Sequence, residues 1–156
     1  FFMVNIEKRL EELGIELPET PRPIAAYIPA LLSTKYLFVS GQIPIRDGKL
    51  MYKGKLGKDL TVEEGYEAAK ICAINILSAA KSVIGDLNNI IKVVRIAGYV
   101  NSTDSFEEHS KVVNGASDLL VEVFKESGKH VRIAVGVNSL PLGAPVEIEA
   151  VFEIEK

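Results

Sequence analysis

The sequence contains a single cysteine, Cys72, and this excludes an intramolecular disulfide. Cys72 falls among apolar residues of a predicted helix, so we interpret it as a buried structural thiol rather than a nucleophile. No charged-then-apolar signal pattern is recognised near the start of the sequence. A chain that needs no disulfide suits a reducing compartment, and the expected location is therefore the cytoplasm.

The sequence also lacks an excess of positive charge: acidic residues outnumber Lys and Arg, 21 to 18. The formal net charge is -3 and the pI is about 5.5, whereas nucleic-acid and anionic-membrane binding depend on clustered Lys and Arg. No apolar run approaches the length of a membrane span. We therefore expect neither a nucleic acid nor a membrane as a partner.

The common motifs of metal, nucleotide and serine-hydrolase sites are missing: no HExxH, Cys/His cluster, P-loop, GxSxG or GxGxxG occurs. No metal or cofactor is expected. The two histidines, His109 and His130, belong to no catalytic or metal-binding motif, and we interpret them as exposed or capping residues. His130 precedes Arg132 by two positions, so it shares a strand face with Arg132 if the strand already runs there.

The order of predicted elements indicates a single α+β domain, residues 1–156, with two helices on one face of a mixed sheet. An N-terminal extension, residues 1–22, carries a short amphipathic helix. The remaining elements are strands at 24–31 and 36–43, a turn at Asp47-Gly48, a helix from a capping box at Thr61 to Gly85, a strand at 92–101, a helix from a second capping box at Ser105–Glu108 to Gly128, and strands at 131–138 and 146–155. The strand at 92–101 is apolar on both sides, so its second face needs cover from other subunits.

Two charged residues in the last two strands, Arg132 and Glu147, are hard to explain as ordinary solvent-exposed charges. Along the strand that begins at Val131, period-two alternation puts Arg132 on one face with Ala134 and Gly136. Small residues beside a long cation leave a concavity in which a guanidinium can hold a planar carboxylate. Glu147, in the following strand, lies on a largely acidic face.

Two segments resemble the Rid family, the YjgF-like imine/enamine deaminases. Arg132-x-Ala134 followed by Leu140–Ala150 is similar to the family's C-terminal signature, and Ser40–Pro44 is similar to its Ser-Gly-Gln-Ile/Val-Pro segment. The resemblance covers the chain from about Pro23 onward. It implies a chorismate-mutase-like fold assembled as a homotrimer, with ligand clefts between neighbouring subunits.

The resemblance also assigns residues to the cleft. Arg132 matches the arginine that holds the substrate carboxylate, and Glu147 matches a glutamate that handles water or protons. The other residues carried over as substrate-binding are Tyr27, Ser40, Gly41, Asn114 and Ala134. Ala134 stands where short members have a cysteine, and together with the N-terminal extension it suggests a longer branch of the family.

The expected function is hydrolysis of short 2-enamino or 2-imino acids to the 2-keto acid and ammonia, without a cofactor. A second hypothesis is a trimeric protein that binds a keto acid or another small carboxylate in a regulatory role, without turnover. A third, less favoured because the chain is acidic and lacks a histidine pair in one motif, is a ribonuclease.

Overall fold

The structure, a computed structural model, describes residues 4–21 and 23–155. Its helices and strands are α1 (Ile6–Glu12), β1 (Ala30–Ser33), β2 (Tyr36–Gln42), β3 (Ile45–Arg46), β4 (Lys49–Leu50), α2 (Val62–Ile84), β5 (Ile90–Asn101), α3 (His109–Phe124), β6 (Val131–Val137) and β7 (Val146–Ile154). The architecture is α+β, as predicted, with a mixed sheet and three helices in the described residues.

Five strands form the main sheet in the order β1-β2-β7-β5-β6, and β3 pairs with β4 in a separate hairpin. Neighbouring strands are antiparallel except for β5 and β6, which are parallel. Parallel strands need a crossover connection, and α3 supplies it. Both α2 and α3 pack on the same face of this sheet. Strand β6 lies at one edge of the sheet and contacts α3.

Helix α2 begins and ends where its sequence predicted. Thr61 is the N-cap, and the reciprocal bonds of a capping box join it to Glu64. Gly85 follows the last turn with φ of 79°, a conformation that glycine adopts at little cost. Cys72 lies in this helix, fully buried, and its Sγ donates to the carbonyl oxygen of Val146 at 3.7 Å. The predicted buried thiol is confirmed.

The second predicted capping box, at Ser105–Glu108, is wrong. The N–H of Phe106 instead donates to the carbonyl oxygen of Thr103 at 3.2 Å, so the chain turns at this point before the helix begins. Helix α3 starts at His109 after Glu108, whose side chain makes no capping bond. The Phe106 ring then packs edge-on against the His109 ring, at 5.3 Å between centroids.

The strand predicted at 24–31 is also wrong over most of its length. Residues 24–29 are irregular, and β1 begins only at Ala30. Pro29 has no N–H to donate to a ladder, and β2 is irregular opposite this point, between Val39 and Gln42. Tyr27 consequently lies in an exposed irregular segment rather than in a strand.

The sheet face away from the helices, which we call the open face, carries apolar side chains in contact with solvent. Leu31 and Phe38 are cross-strand partners on it, and they are 54% and 46% exposed. At the other end of the sheet, Val131 and Ile133 are 67% and 43% exposed. Among the described residues, no helix combines the length and apolarity needed to cross a membrane.

Candidate functional site

Arg132 lies on the helix-covered face of β6, at the edge of the sheet. Its neighbour across the parallel ladder is Ile96, a core residue. The guanidinium reaches helix α3, where Nη1 donates to Ser117 Oγ at 3.0 Å and Nη2 donates to the carbonyl oxygen of Ser110 at 3.2 Å. Ser110 and Ser117 are two helical turns apart, so they present oxygen atoms on the same side of the helix.

No carboxylate within residues 4–21 and 23–155 forms an ion pair with Arg132. A guanidinium carries five N–H donors, and two are used in the contacts with Ser110 and Ser117. The remaining donors, together with an uncompensated positive charge on a partly buried side chain, can bind an anion. A planar carboxylate fits this donor fork best because it can accept two parallel bonds.

Ala134 and Gly136 share the face of Arg132, as period-two alternation predicted. Ala134 is partly buried against the core. Above Gly136, however, the space is occupied: a Cβ built there would lie 2.6 Å from His109 Nε2 and 2.9 Å from Ser102 Oγ. The expected hollow beside Arg132 is therefore restricted to the surroundings of Ala134.

Asn114 lies on α3 between the two residues that hold Arg132. The positions Ser110, Asn114 and Ser117 follow helical spacing of four and three, so all three lie on one side of the helix. Asn114 is partly buried. Its amide therefore lies on the side of α3 that meets Arg132.

Glu147 lies on the open face of β7, opposite Tyr99 of β5. It is half-buried, and this burial, followed by the nearby charge of Glu149, raises the pKa of its carboxyl group above the ordinary value of 4.5. Gly41 packs directly against it: a Cβ at Gly41 would lie 2.5 Å from Glu147 Oε2. The carboxyl group thus occupies the space that a side chain at position 41 would fill.

Ser40 ties the irregular segment that carries Tyr27 to the end of β2. Its Oγ donates to the carbonyl oxygen of Ile28 at 2.8 Å, and its N–H donates to the carbonyl oxygen of Pro29 at 2.9 Å. These bonds fix the backbone next to Tyr27, whose side chain is 60% exposed. Ser40 therefore holds the segment that carries Tyr27 against the end of β2, next to Gly41.

Arg132 and Glu147 do not meet within one chain. They point to opposite faces of the sheet, two strands apart, and Arg132 aligns with Ala150 of β7 rather than with Glu147. Strand spacing and rise then separate the two backbones by roughly 14 Å. A short 2-imino acid of about six or seven heavy atoms cannot contact both side chains of the same chain.

Both histidines are partly buried and hydrogen-bonded to serines, so neither is exposed, but His130 does make a capping contact with the Gly128 carbonyl oxygen at the end of the 3-10 turn Lys125–Gly128. His130 Nε2 lies 2.9 Å from Ser117 Oγ, and His109 Nε2 lies 3.3 Å from Ser102 Oγ. Ser110 and Ser117 were missed as site residues. Their helical spacing with Asn114 is visible in the sequence, but the side of the helix that meets Arg132 is not.

Two further residues near Glu147 were not predicted. Tyr99 donates its hydroxyl to Glu149 Oε1 at 2.9 Å, and this bond raises the pKa of Tyr99. Glu149 in turn faces Glu147 from the next position on the same side of β7. The open face therefore carries a small acidic group with one phenol, beside the end of β2.

Two cavities of about 400 and 480 Å³ lie along the N-terminal segment, between residues 7–20 and helix α2. None of the predicted site residues lines either of them. Their walls combine aliphatic side chains, Pro18 and charged side chains of both signs. Among residues 4–21 and 23–155, no group of three or more His, Cys, Asp or Glu side chains is arranged to hold a metal ion.

Comparison with known proteins places this geometry in a family. Protein TCP17 of Trypanosoma cruzi is 44% identical over 151 residues, which cover 96% of this chain and 94% of that protein. The crystal structure of Atu1372 from Agrobacterium tumefaciens, described as having unknown function, superposes with a TM-score of 0.90 at 44% identity, covering 96% and 92% of the two chains. That of a "putative endoribonuclease" from Shewanella oneidensis superposes with a TM-score of 0.92 at 37% identity, covering 96% and 99%.

The family model described as "YjgF/chorismate_mutase-like, putative endoribonuclease" matches residues 7–152. The match extends from within α1 to near the end of β7, and it includes both segments on which the resemblance depends. The chain belongs to the YjgF-like family, also called the Rid family.

Proposed function

We propose that the protein hydrolyses short 2-imino and 2-enamino acids to 2-keto acids and ammonia, without a cofactor. The observation that carries this proposal is the state of Arg132. Its guanidinium is partly buried, held in place by Ser117 and Ser110, and without an ion-pair partner among the described residues. This is the geometry of a preformed carboxylate anchor.

The chemistry asks little beyond orientation. An imine carbon is already electrophilic, so water adds to it and forms a carbinolamine; the C–N bond then breaks, ammonia leaves with a transferred proton, and the carbonyl forms. A group with a raised pKa is suited to exchange a proton with the water or with the departing nitrogen. Glu147 is such a group, and the absence of a side chain at Gly41 leaves room for its carboxyl group.

The two halves of this machinery require two copies of the chain. Arg132, Asn114 and Ala134 form one half on the helix side of β6, and Glu147 forms the other on the open face. We propose a homotrimer, the assembly that the Rid resemblance implies, in which the β6 edge of one subunit, with Arg132, meets the open face of the next. The exposed apolar residues of the open face, Leu31, Phe38, Val131 and Ile133, support burial of this kind.

The test is turnover of 2-iminobutanoate generated in situ, measured as 2-oxobutanoate and ammonia released. Wild type is expected to be active, and Arg132→Ala to lose at least tenfold in kcat/KM because the charge-assisted anchor contributes about 1.5–3 kcal/mol. Arg46→Ala is the matched control, since Arg46 is an exposed hairpin arginine outside the proposed site. Turnover that is equal in wild type and Arg132→Ala would reject the anchor.

A second candidate is a carboxylate-binding protein that does not turn its ligand over. The alanine at position 134 favours it, because no thiol is present two residues after the arginine. Two results together would select this alternative. Wild type would leave 2-iminobutanoate intact, and calorimetry would show that it binds 2-oxobutanoate in a way that depends on Arg132. Arg132-independent cleavage of RNA would instead favour the activity suggested by the name of the Shewanella oneidensis relative.

A further inference from the structure

A chain of hydrogen bonds runs from the backbone through His130 and Ser117 to Arg132. It begins at His130 Nδ1, which lies 2.7 Å from the carbonyl oxygen of Gly128. A carbonyl oxygen can only accept a hydrogen bond, so Nδ1 carries the proton. In the neutral ring Nε2 is then left as an acceptor.

In the neutral ring the next bond has one direction. Ser117 Oγ lies 2.9 Å from His130 Nε2, and since Nε2 accepts, the serine hydroxyl must donate to it. The lone pairs of Oγ remain, and one of them accepts from Arg132 Nη1 at 3.0 Å. With a neutral imidazole, the carbonyl group of Gly128 thus sets the direction of each bond in the series.

This direction matters for the guanidinium. A serine within a helix commonly turns its hydroxyl to the backbone carbonyl of the preceding turn. His130 prevents this by drawing the proton of Ser117 to the other side, so that the oxygen points toward Arg132. With Ser110 accepting from Nη2, the guanidinium plane is fixed on both sides, and its free N–H donors keep one orientation.

We propose that His130 is a positioning residue for Arg132, acting through Ser117, and that this relay sets the affinity of the site for carboxylates. The ligand part of this inference rests on the proposed function. The relay itself depends only on this chain. It predicts that Ser117 and His130 act as one unit, so that removing either member removes the whole effect.

The first arm of the test measures binding of 2-oxobutanoate by calorimetry. We expect Ser117→Ala and His130→Leu each to weaken Kd about tenfold, the size of one charge-assisted bond. The double variant should be no weaker than either single variant, because residues that act as a unit are not additive. His130→Gln, which retains an acceptor near Nε2, should recover most of the affinity. An additive double variant, weakened about a hundredfold, would overturn the relay.

A matched control is the other serine–histidine contact on the same side of the sheet. His109→Leu removes the bond between His109 and Ser102, which does not reach Arg132, and Kd should stay within twofold of wild type. Thermal unfolding of each variant separates a loss of positioning from a loss of folding. An equal effect of His109→Leu would overturn the proposal, since it would show general destabilisation.

The second arm needs no ligand. Nitrogen-15 NMR of the imidazoles should show His130 protonated at Nδ1, and the Arg132 guanidinium should rotate about Nε–Cζ more slowly in wild type than in His130→Leu. Equal rotation rates, or a proton on Nε2, would overturn the relay whatever the ligand data show. If wild type fails to bind 2-oxobutanoate but its guanidinium rotation slows as expected, the proposed function fails and the relay stands.

Discussion

The Glu147 side chain fills the position that a side chain on Gly41 would need: its carboxylate oxygen Oε2 lies 2.5 Å from the point where a Cβ on residue 41 would be. The backbone of Gly41 does not have a positive φ, so conformational freedom is not what the position requires. The contact is with the far end of a flexible side chain, which can move. Any side chain at position 41 therefore displaces the carboxyl group rather than the backbone.

We predict that Gly41→Ala lowers turnover of 2-iminobutanoate at least tenfold while the melting temperature changes little. The displaced Glu147 carboxyl group would no longer face the proposed ligand space. Turnover and differential scanning calorimetry check this. Unchanged turnover in Gly41→Ala would contradict a role for the glycine.

The raised pKa of Glu147 gives the stability a pH dependence of known sign. A carboxyl group whose folded pKa is raised binds its proton more tightly in the native state, so the native state loses stability as pH rises from 4.5 through the folded pKa. Glu147→Gln removes this cost. The variant is expected to unfold at a higher temperature than wild type at pH 7, and the difference should vanish as pH falls below about 4.

Thermal unfolding at a series of pH values measures this difference. Glu11→Gln provides the control, because Glu11 is an exposed helical glutamate far from the open face. A Glu147→Gln variant that is less stable than wild type at pH 7, and equally so at pH 4, would contradict the cost of burying the charge.

The local elements could be predicted where a side chain specifies its own turn. The capping box of Thr61 and Glu64 and the hairpin at Asp47-Gly48, where both residues have positive φ, are local chemistry, and the structure has both. Ser105–Glu108 has the same pattern as a capping box, yet the Thr103–Phe106 turn prevails. The sequence alone does not show which of two competing local hydrogen bonds will form, here the capping bond or the Thr103–Phe106 turn bond.

The site was harder to predict because the apolar face of β6 is the exposed one, and the face that carries Arg132 packs toward the helices. Val131 and Ile133 have the apolar character of a core-facing side, but they are exposed on the open face, while Arg132 and Ala134 lie toward α3. Period-two alternation groups residues into faces correctly and does not say which face the helices cover. Placement of Ser117 and His130 beside Arg132 depends on that choice.

The contact between α2 and α3 depends on a missing side chain at Gly115. A Cβ at this position would overlap the backbone carbonyl oxygen of Tyr66, which cannot move without shifting α2. Gly115→Ala is expected to destabilise the fold by about 1–3 kcal/mol through overpacking, even though alanine is the better helix former. Chemical denaturation measures the loss. Gly65→Ala, whose Cβ would lie nearest to the side chains of Leu56 and Val112, should cost less, and a larger effect there would contradict this account.

The placement of Arg132 and Glu147 on opposite faces of one sheet makes a prediction about mixed assemblies. If each site takes its arginine from one subunit and its glutamate from the next, Arg132→Ala and Glu147→Ala homomers are both inactive, but a mixture contains intact sites. Refolding the two variants together at equal amounts should give about a quarter of wild-type turnover, since each of two neighbours must be of the right type. Variants refolded separately and then combined serve as the control. No recovery after joint refolding, in a mixture that native mass measurement shows to be a mixed assembly, would mean that the two residues do not share a site.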